Sequence, residues 1–519
     1  MRRRDVLRAG VGALSLPLVG GAATARRDDT THTTTPYEPL GSVTIDGAAE
    51  AVVNEDGTVA FLAVGDGFAT VDIADPTSPS VLAERRGLSP EGSDQTLQTI
   101  LDVKYADDLL VVPGPAQSGP IAGFFLYDVT DPASPERLSW YSMPFVLHNV
   151  DFDGSYVYAT GLNGARNPLS IVDVTDPTDP QPGSRWSPID YGHGWEDFES
   201  FQTLHDVTVQ GDYAYCAYWD AGVFVLDVSD RTDPRFVGHV GDYTPEELQD
   251  LPQSAGLEPP GNAHYVAVND DASIMAEGGE SWDLQSDDGE GGPSGIELFD
   301  LSDPASPEKL ATIEPPKTAD ASYSAGTWTT SHNFELTGDR LYSSWYQGGV
   351  MIHDISDPAN PDRLVWWRDP DELAFWTARL AVDDEFFVAS AYAVPGTNTS
   401  GLYTFPDRAG EQVDPSSLVV APEDDLPTRT TTRTTTTSAT TRTTTTSATT
   451  RTTTTSATTR TTTTAGDEQT PATTTTTAGD TGGSPDEAIP GFGPVATLVG
   501  MGVGAAGYLR RRRRRREQD

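Results

Sequence analysis

Tyr127-Asp128-Val129-Thr130-Asp131-Pro132, with a second proline at Pro135, is the stretch that decides the fold. An apolar strand runs into two aspartates three positions apart and then into proline. Asp at the first position of a turn accepts the turn's own amides, and Pro fixes φ at the next, so the segment stops a strand rigidly. The phrase recurs as Val71-Asp72-Ile73-Ala74-Asp75-Pro76, Val172-Asp173-Val174-Thr175-Asp176-Pro177, Leu226-Asp227-Val228-Ser229-Asp230, Phe299-Asp300-Leu301-Ser302-Asp303-Pro304 and His353-Asp354-Ile355-Ser356-Asp357-Pro358. Each continues to a further proline (Pro79, Pro180, Pro234, Pro307, Pro361), and the fourth unit carries Arg231 where Pro is expected.

Ahead of each turn lie two more strand-like runs, and after it a fourth. In one unit they are Asp206-Val207-Thr208-Val209, Tyr213-Ala214-Tyr215-Cys216, Val223-Phe224-Val225-Leu226 and Arg235-Phe236-Val237-Gly238. Four short strands per unit, repeated every 45 to 75 residues or so, describe the blade of a β-propeller. A seventh unit has three strands, at 379–382, 386–389 and 401–405, and no full turn. Its outer strand is expected from 40–45, which follows Pro39 as the fourth strands of other units follow their prolines. The reading is an all-β, seven-bladed β-propeller of four-stranded blades over residues 40–415, its ring closed by the N-terminal strand. The units resemble the LVIVP-repeat family, and the resemblance, which covers about residues 40 to 407, implies the same propeller fold.

Of 519 residues, 33 are Lys or Arg and 78 are Asp or Glu, a formal charge of −45 that argues against nucleic acid as a partner. Arginines concentrate at the two ends, and between residues 28 and 427 only Lys104, Lys309 and Lys317 are lysines. Molar salt screens such self-repulsion to a Debye length of about 3 Å. The composition resembles that of haloarchaeal proteins, so the acidity describes a solvated surface rather than a substrate site. One cysteine, Cys216, excludes an intramolecular disulfide framework.

The two ends are addresses. Arg3-Arg4-Asp5-Val6-Leu7 followed by a short apolar stretch resembles a twin-arginine export signal, expected over residues 1–25, with a flexible segment at 26–39. Residues 416–488 form a Thr-rich stalk in which Arg433, Arg442, Arg451 and Arg460 recur every nine residues; lacking an apolar face, it is expected to be a disordered, O-glycosylated spacer. Residues 489–509 are apolar and 21 long, about 31 Å as a helix, enough to cross a bilayer. The arginines of 510–519 hold that end in the cytoplasm. Pro490-Gly491-Phe492 ahead of the apolar helix resembles the PGF-CTERM sorting signal of archaeal surface proteins. That resemblance implies that an archaeosortase removes the helix and that the mature chain is lipid-anchored, on the outer face of the membrane either way.

Chemistry is signalled at one place. His148, His205, His264 and His332 hold one position in four consecutive units, at the start of the first strand. The same position is expected to hold Leu101 in the second unit and Ala378 in the seventh, with no histidine in the first. First strands line a propeller's channel, so four imidazoles would gather at its mouth as ligands for Cu, Fe or Zn. The alternative is a structural histidine of the kind that ties strands together in WD-repeat blades, although a tie would be wanted in all seven. In outline the arrangement is similar to the axial histidines of carotenoid oxygenases and selenium-binding-protein-like oxidases.

Long loops on that face carry Trp195, Glu196, Asp197 and Glu199 before His205, and Glu280, Trp282 and Asp283 in the fifth unit. These acids could take Ca²⁺, but their spacing matches no EF-hand. Thr244-Pro245-Glu246-Glu247 signals a capped helix. Asn398-Thr399-Ser400 is an N-glycosylation sequon. No P-loop, dinucleotide fingerprint or Gly-x-Ser-x-Gly elbow is present. The sequence therefore points to a surface-anchored binding or scaffolding module, exported by the twin-arginine translocase, with a His-ligated metalloenzyme, oxidoreductase-like, as the rival.

Overall fold

The computed structural model describes residues 36–418 except 163–165, 193, 199–201, 252–256, 285–290, 325 and 395. The twin-arginine segment, the stalk, the 489–509 segment and Glu199 lie outside the described residues. Among those described, no helix is long and apolar enough to cross a membrane.

Seven four-stranded antiparallel sheets form the ring, six of them running from inner to outer strand in chain order. The inner strands are Ala51–Val53, Lys104–Ala106, Val146–Phe152, Asp206–Gln210, Ala263–Val268, Phe334–Thr337 and Leu373–Val382. The last blade takes its outer strand from the N-terminus, as the repeat phase demands: Gly41–Thr44 pairs with Gly401–Pro406, Gly41 opposite Thr404. Tyr37 reinforces the closure, its hydroxyl donating to the Pro406 carbonyl at 2.7 Å. Closure by strand pairing leaves no long open edge to recruit another chain.

Middle strands are covered on both faces by neighbouring blades, so they are apolar almost throughout. Gly123–Asp128 is buried except at its last residue, whereas the outer strand Glu136–Ser142 is not buried at any position. Core clusters span the seams: Val111, Phe124 and Leu126 of the second blade pack with Leu147, Val150 and Val157 of the third.

The turns form as their residues dictate. Asp128 Oδ1 accepts the Thr130 amide at 2.9 Å and Asp131 Oδ1 that of Ala133 at 3.1 Å; Asp173 and Asp176 repeat this at 2.9 and 3.0 Å. Four of the turns also clasp the preceding blade. Hydroxyls of Thr70, Ser139 and Thr404 donate to the turn carbonyls of Pro132, Pro177 and Pro76 at 2.6, 2.7 and 2.6 Å. Where proline is missing, the Arg231 carbonyl accepts from Ser184 at 2.6 Å, and the guanidinium reaches Tyr158 Oη of the third blade at 2.9 Å. At the next seam the outer strand carries Gly238, because a Cβ there would collide with the Pro304 carbonyl.

One local expectation holds as well. The Thr244 capping box opens the helix Pro245–Asp250, with both reciprocal bonds made. Asn398 is exposed in the loop between the second and third strands of the last blade.

Candidate metal centre

All four repeated histidines come together at the channel mouth. Ring centroids are 4.0 Å apart for His148 and His205, 3.9 Å for His205 and His264, and 4.8 Å for His264 and His332. Local backbone geometry aims them. The pairing register slips between Leu147 and Val150, between Ala263 and Tyr265, and between Phe375 and Thr377. A bulge of this kind bends a strand and re-aims one side chain, and here the residues released are His148, His264 and Trp376.

These bulges correct the alignment of the seventh blade. Glu50 N donates to Leu101 O at 3.2 Å, and Asn333 N donates likewise to Trp376 O at 3.2 Å. The residue equivalent to Leu101 is therefore Trp376, two positions before the expected Ala378, because the bulge shifts the phase. Around the ring the position reads Ala49, Leu101, His148, His205, His264, His332, Trp376.

Three of the four imidazoles are held through Nδ1. That of His148 contacts the Ala116 carbonyl at 3.0 Å, that of His205 the His264 carbonyl at 3.1 Å, and that of His332 the Trp376 carbonyl at 2.6 Å. An Nδ1–H directed at a carbonyl fixes the tautomer and leaves Nε2 as the lone-pair donor, the second-shell pattern of metal-ligating histidines. His264 differs: its Nδ1 lies 2.9 Å from Glu280 Oε2, close enough for an ion pair but off line for a hydrogen bond.

Glu280 is the residue that sequence spacing did not bring to the histidines. It was legible only as one acid in a long loop, yet it is buried beside His264, and Tyr346 donates its hydroxyl to Oε1. One ligand atom each from His205, His264 and Glu280 lies within 4.8 Å of the others, which sets these three apart from the flanking His148 and His332. Burial raises the Glu280 carboxyl, but His264, His332 and Tyr346 outweigh it and hold the pKa at about 2. Burial lowers His148 to about 4 and His332 to about 3, and drives His205 well below its ordinary value. Neutral His148, His205 and His332 beside an ionised Glu280 are in the protonation states that metal ligands require.

Tyr346 was likewise missed, although the repeat carries a signal for it. Trp219 and Tyr346 follow the second strands of their blades at the place Gly65 occupies in the first, each bridging to the next blade. All three are left-handed, at φ 42°, 48° and 76°. A bulky residue held at positive φ is uncommon, and here it sets Trp219 6.3 Å from His205 and Tyr346 4.6 Å from His332.

The other loop candidates divide. Trp282 is buried, 5.0 Å from Trp328, which lies 5.4 Å from Tyr346, so that loop extends the wall beside Glu280. Asp283 bridges to Ser322 within the same wall. Trp195, in the 3-10 turn Trp195–Asp197, instead joins the core of the fourth blade against Phe224 and His239. Glu196 Oε2 accepts the Gly194 amide at 2.8 Å. Cys216 is fully buried and its thiol is pushed up by burial, which makes it inert.

Residues 53–84 and 204–242 match the LVIVD repeat family. No curated protein matches the chain. Among solved structures, U3-55K is similar at 12% identity and TM-score 0.47, over 72% of this chain and 98% of that one. The Cps50 (Swd1) β-propeller domain of Myceliophteria thermophila is similar at 11% identity and TM-score 0.49, over 72% and 99%. A functionally unknown protein from Desulfotomaculum acetoxidans gives 10% identity and TM-score 0.42, over 62% and 85%. The chain is thus a repeat β-propeller of seven four-stranded blades, two stretches of which carry the LVIVD pattern.

Proposed function

We propose that this protein is an exported, envelope-displayed β-propeller binding module whose channel mouth holds a divalent transition metal. His205, His264 and Glu280 are the ligands, with His148 and His332 beside them. The observation that carries this reading is the convergence of three buried groups, two imidazoles and a carboxylate, within 4.8 Å, with His205 Nδ1 engaged by a backbone carbonyl and His264 Nδ1 beside Glu280. Two imidazoles and a carboxylate suit Zn, Fe or Cu rather than Ca²⁺, which takes oxygen ligands only. The metal would supply a Lewis-acidic position at the open end of the channel. The chain's own groups prepare it: backbone carbonyls set the imidazole tautomers, Tyr346 orients Glu280, and the Trp282 and Trp328 wall limits water.

Display at the envelope rests on the sequence. Twin-arginine export carries folded chains, so a metal acquired in the cytoplasm would survive translocation. The Thr-rich stalk and the 489–509 segment with its Pro490-Gly491-Phe492 signal would hold the propeller outside the membrane, with Asn398 exposed for glycosylation.

The test is elemental analysis of protein purified in high salt without a metal-affinity tag, beside a His205→Ala, His264→Ala double variant. The expected result is about one equivalent of transition metal per chain in the parent and none in the variant, with unchanged circular dichroism. Absence of metal from the parent after reconstitution with Zn, Cu and Fe would overturn the reading.

A further inference from the structure

At mid-height the channel is crossed by a polar network. The residue after each channel-top position is buried: Glu50, Asp102, Asn149, Asp206, Tyr265, Asn333 and Thr377. Arg379 Nη2 donates to Glu50 at 2.7 Å and to Tyr265 Oη at 2.7 Å, joining the seventh blade to the first and the fifth. Asn333 Nδ2 also donates to Glu50, Asn149 Nδ2 donates to Asp206 at 2.8 Å, and Lys104 pairs with Asp102. Beyond this floor, at the end of the channel opposite the histidines, opens a cavity of about 320 Å³. Its wall includes Lys104, Asp151, Asp206, Tyr265, Glu335 and Arg379, with Val52, Val209 and Leu336 between them.

The chemistry of that wall limits what fits. Both cations already face a carboxylate, Lys104 on Asp102 and Arg379 on Glu50, so no unneutralised cation awaits an anion. The acids are likewise engaged: Asp151 accepts the Phe152 and Val209 amides at 2.8 and 2.6 Å, and Glu335 accepts the Leu380 amide at 2.7 Å. What remains is a mixed set. Lys104 has used one of its three donors, and the Tyr265 hydroxyl accepts from Arg379 while its own proton has no acceptor among the described residues. The carboxylates keep second lone pairs. Such a wall is not satisfied by one ion. It matches groups that donate and accept at once, spaced along an apolar frame.

We propose that this second mouth is a binding site for a neutral polyhydroxylated molecule of about monosaccharide size. Hydroxyls would accept from Lys104 and Tyr265 and donate to Asp151 and Asp206, with C–H faces against Val52 and Val209. The cavity lies at the small end of the range for ligand sites, about 300–1,000 Å³. The cavity shares no lining residue with the histidine cluster, so this site does not depend on the metal.

The test is calorimetric titration of the whole protein with D-glucose, with acetate and with tetramethylammonium, at low and at molar salt. Glucose should bind one to one with an affinity insensitive to salt, and neither ion should compete. Tyr265→Phe should weaken glucose roughly tenfold by removing the unspent donor. Ala267→Leu, which fills the wall, should abolish binding with circular dichroism and metal content unchanged. No heat with glucose, binding of either ion in preference to it, or glucose affinity equal in parent and variants would each overturn the proposal.

Discussion

The outer turns and the channel-top position are both repeats, but they repeat differently. The turn carries Asp, Asp and usually Pro in six blades out of seven, and its contacts recur: its own amides each time, and at four seams a carbonyl that accepts a hydroxyl of the preceding blade. The channel-top position occurs once in each of the seven blades, yet imidazole appears only in four adjacent blades. Ala49, Leu101 and Trp376 fill the other three. A residue demanded by the ring would recur wherever the ring does. A residue confined to one arc answers instead to something that occupies the arc, and Glu280 and Tyr346 come from the same arc.

The largest effect that would separate the two regions is at a turn seam. Gly238 lies where a Cβ would run into the Pro304 carbonyl and the Ala305 backbone, neither of which can yield as a side chain can. Gly238→Ala should cost about 1–3 kcal/mol, read as an earlier denaturant midpoint. Metal per folded chain should stay the same. If the variant lost metal while keeping its stability, seam and site would not be separable.

Acid should come next. Asp75, Asp128, Asp176, Asp227, Asp230, Asp300 and Asp354 all sit below the ordinary carboxylate range because they accept hydrogen bonds from the residue two positions on. A carboxyl lowered in the folded state stabilises it above the unfolded value, near pH 3.9, and loses that contribution as pH falls through the folded value. Thermal midpoints should therefore fall most steeply below about pH 4 as these carboxylates protonate together. Screening by molar salt should change this little, since the cause is a hydrogen bond to a neighbour rather than a distant charge.

This contrast also explains how much could be seen without coordinates. The turn is local chemistry, complete within six residues, so blade number and even the closing strand were legible from Pro39 onward. Imidazoles in four consecutive units were legible as a pattern. The bulges that aim them were not, since a bulge at Trp376 looks in sequence like any other strand residue and displaces the alignment onto Ala378. The contact between Glu280 and Tyr346 was hidden for another reason: it spans 66 residues. The network below them joins Glu50 to Arg379 across 329. No local spacing encodes such a contact; only closure of the ring brings it about.

The smallest effect is the sharpest control. His353 is buried too, but on a third strand, where the other repeats carry an apolar residue or tyrosine before their aspartate. Its Nδ1 has no hydrogen-bond partner among the described residues, and burial together with the charge of Arg363 lowers it to about 3. The imidazole is therefore neutral in the fold, and below the unfolded value near 6.5 the unfolded chain gains a proton that the folded one refuses. His353→Leu should be neutral or stabilising by up to about 1 kcal/mol at pH 7, with the gain growing toward pH 5, and metal content should not change. Loss of metal in this variant would mean that histidine count, not the arc, governs binding, and the contrast between turn and mouth would fail.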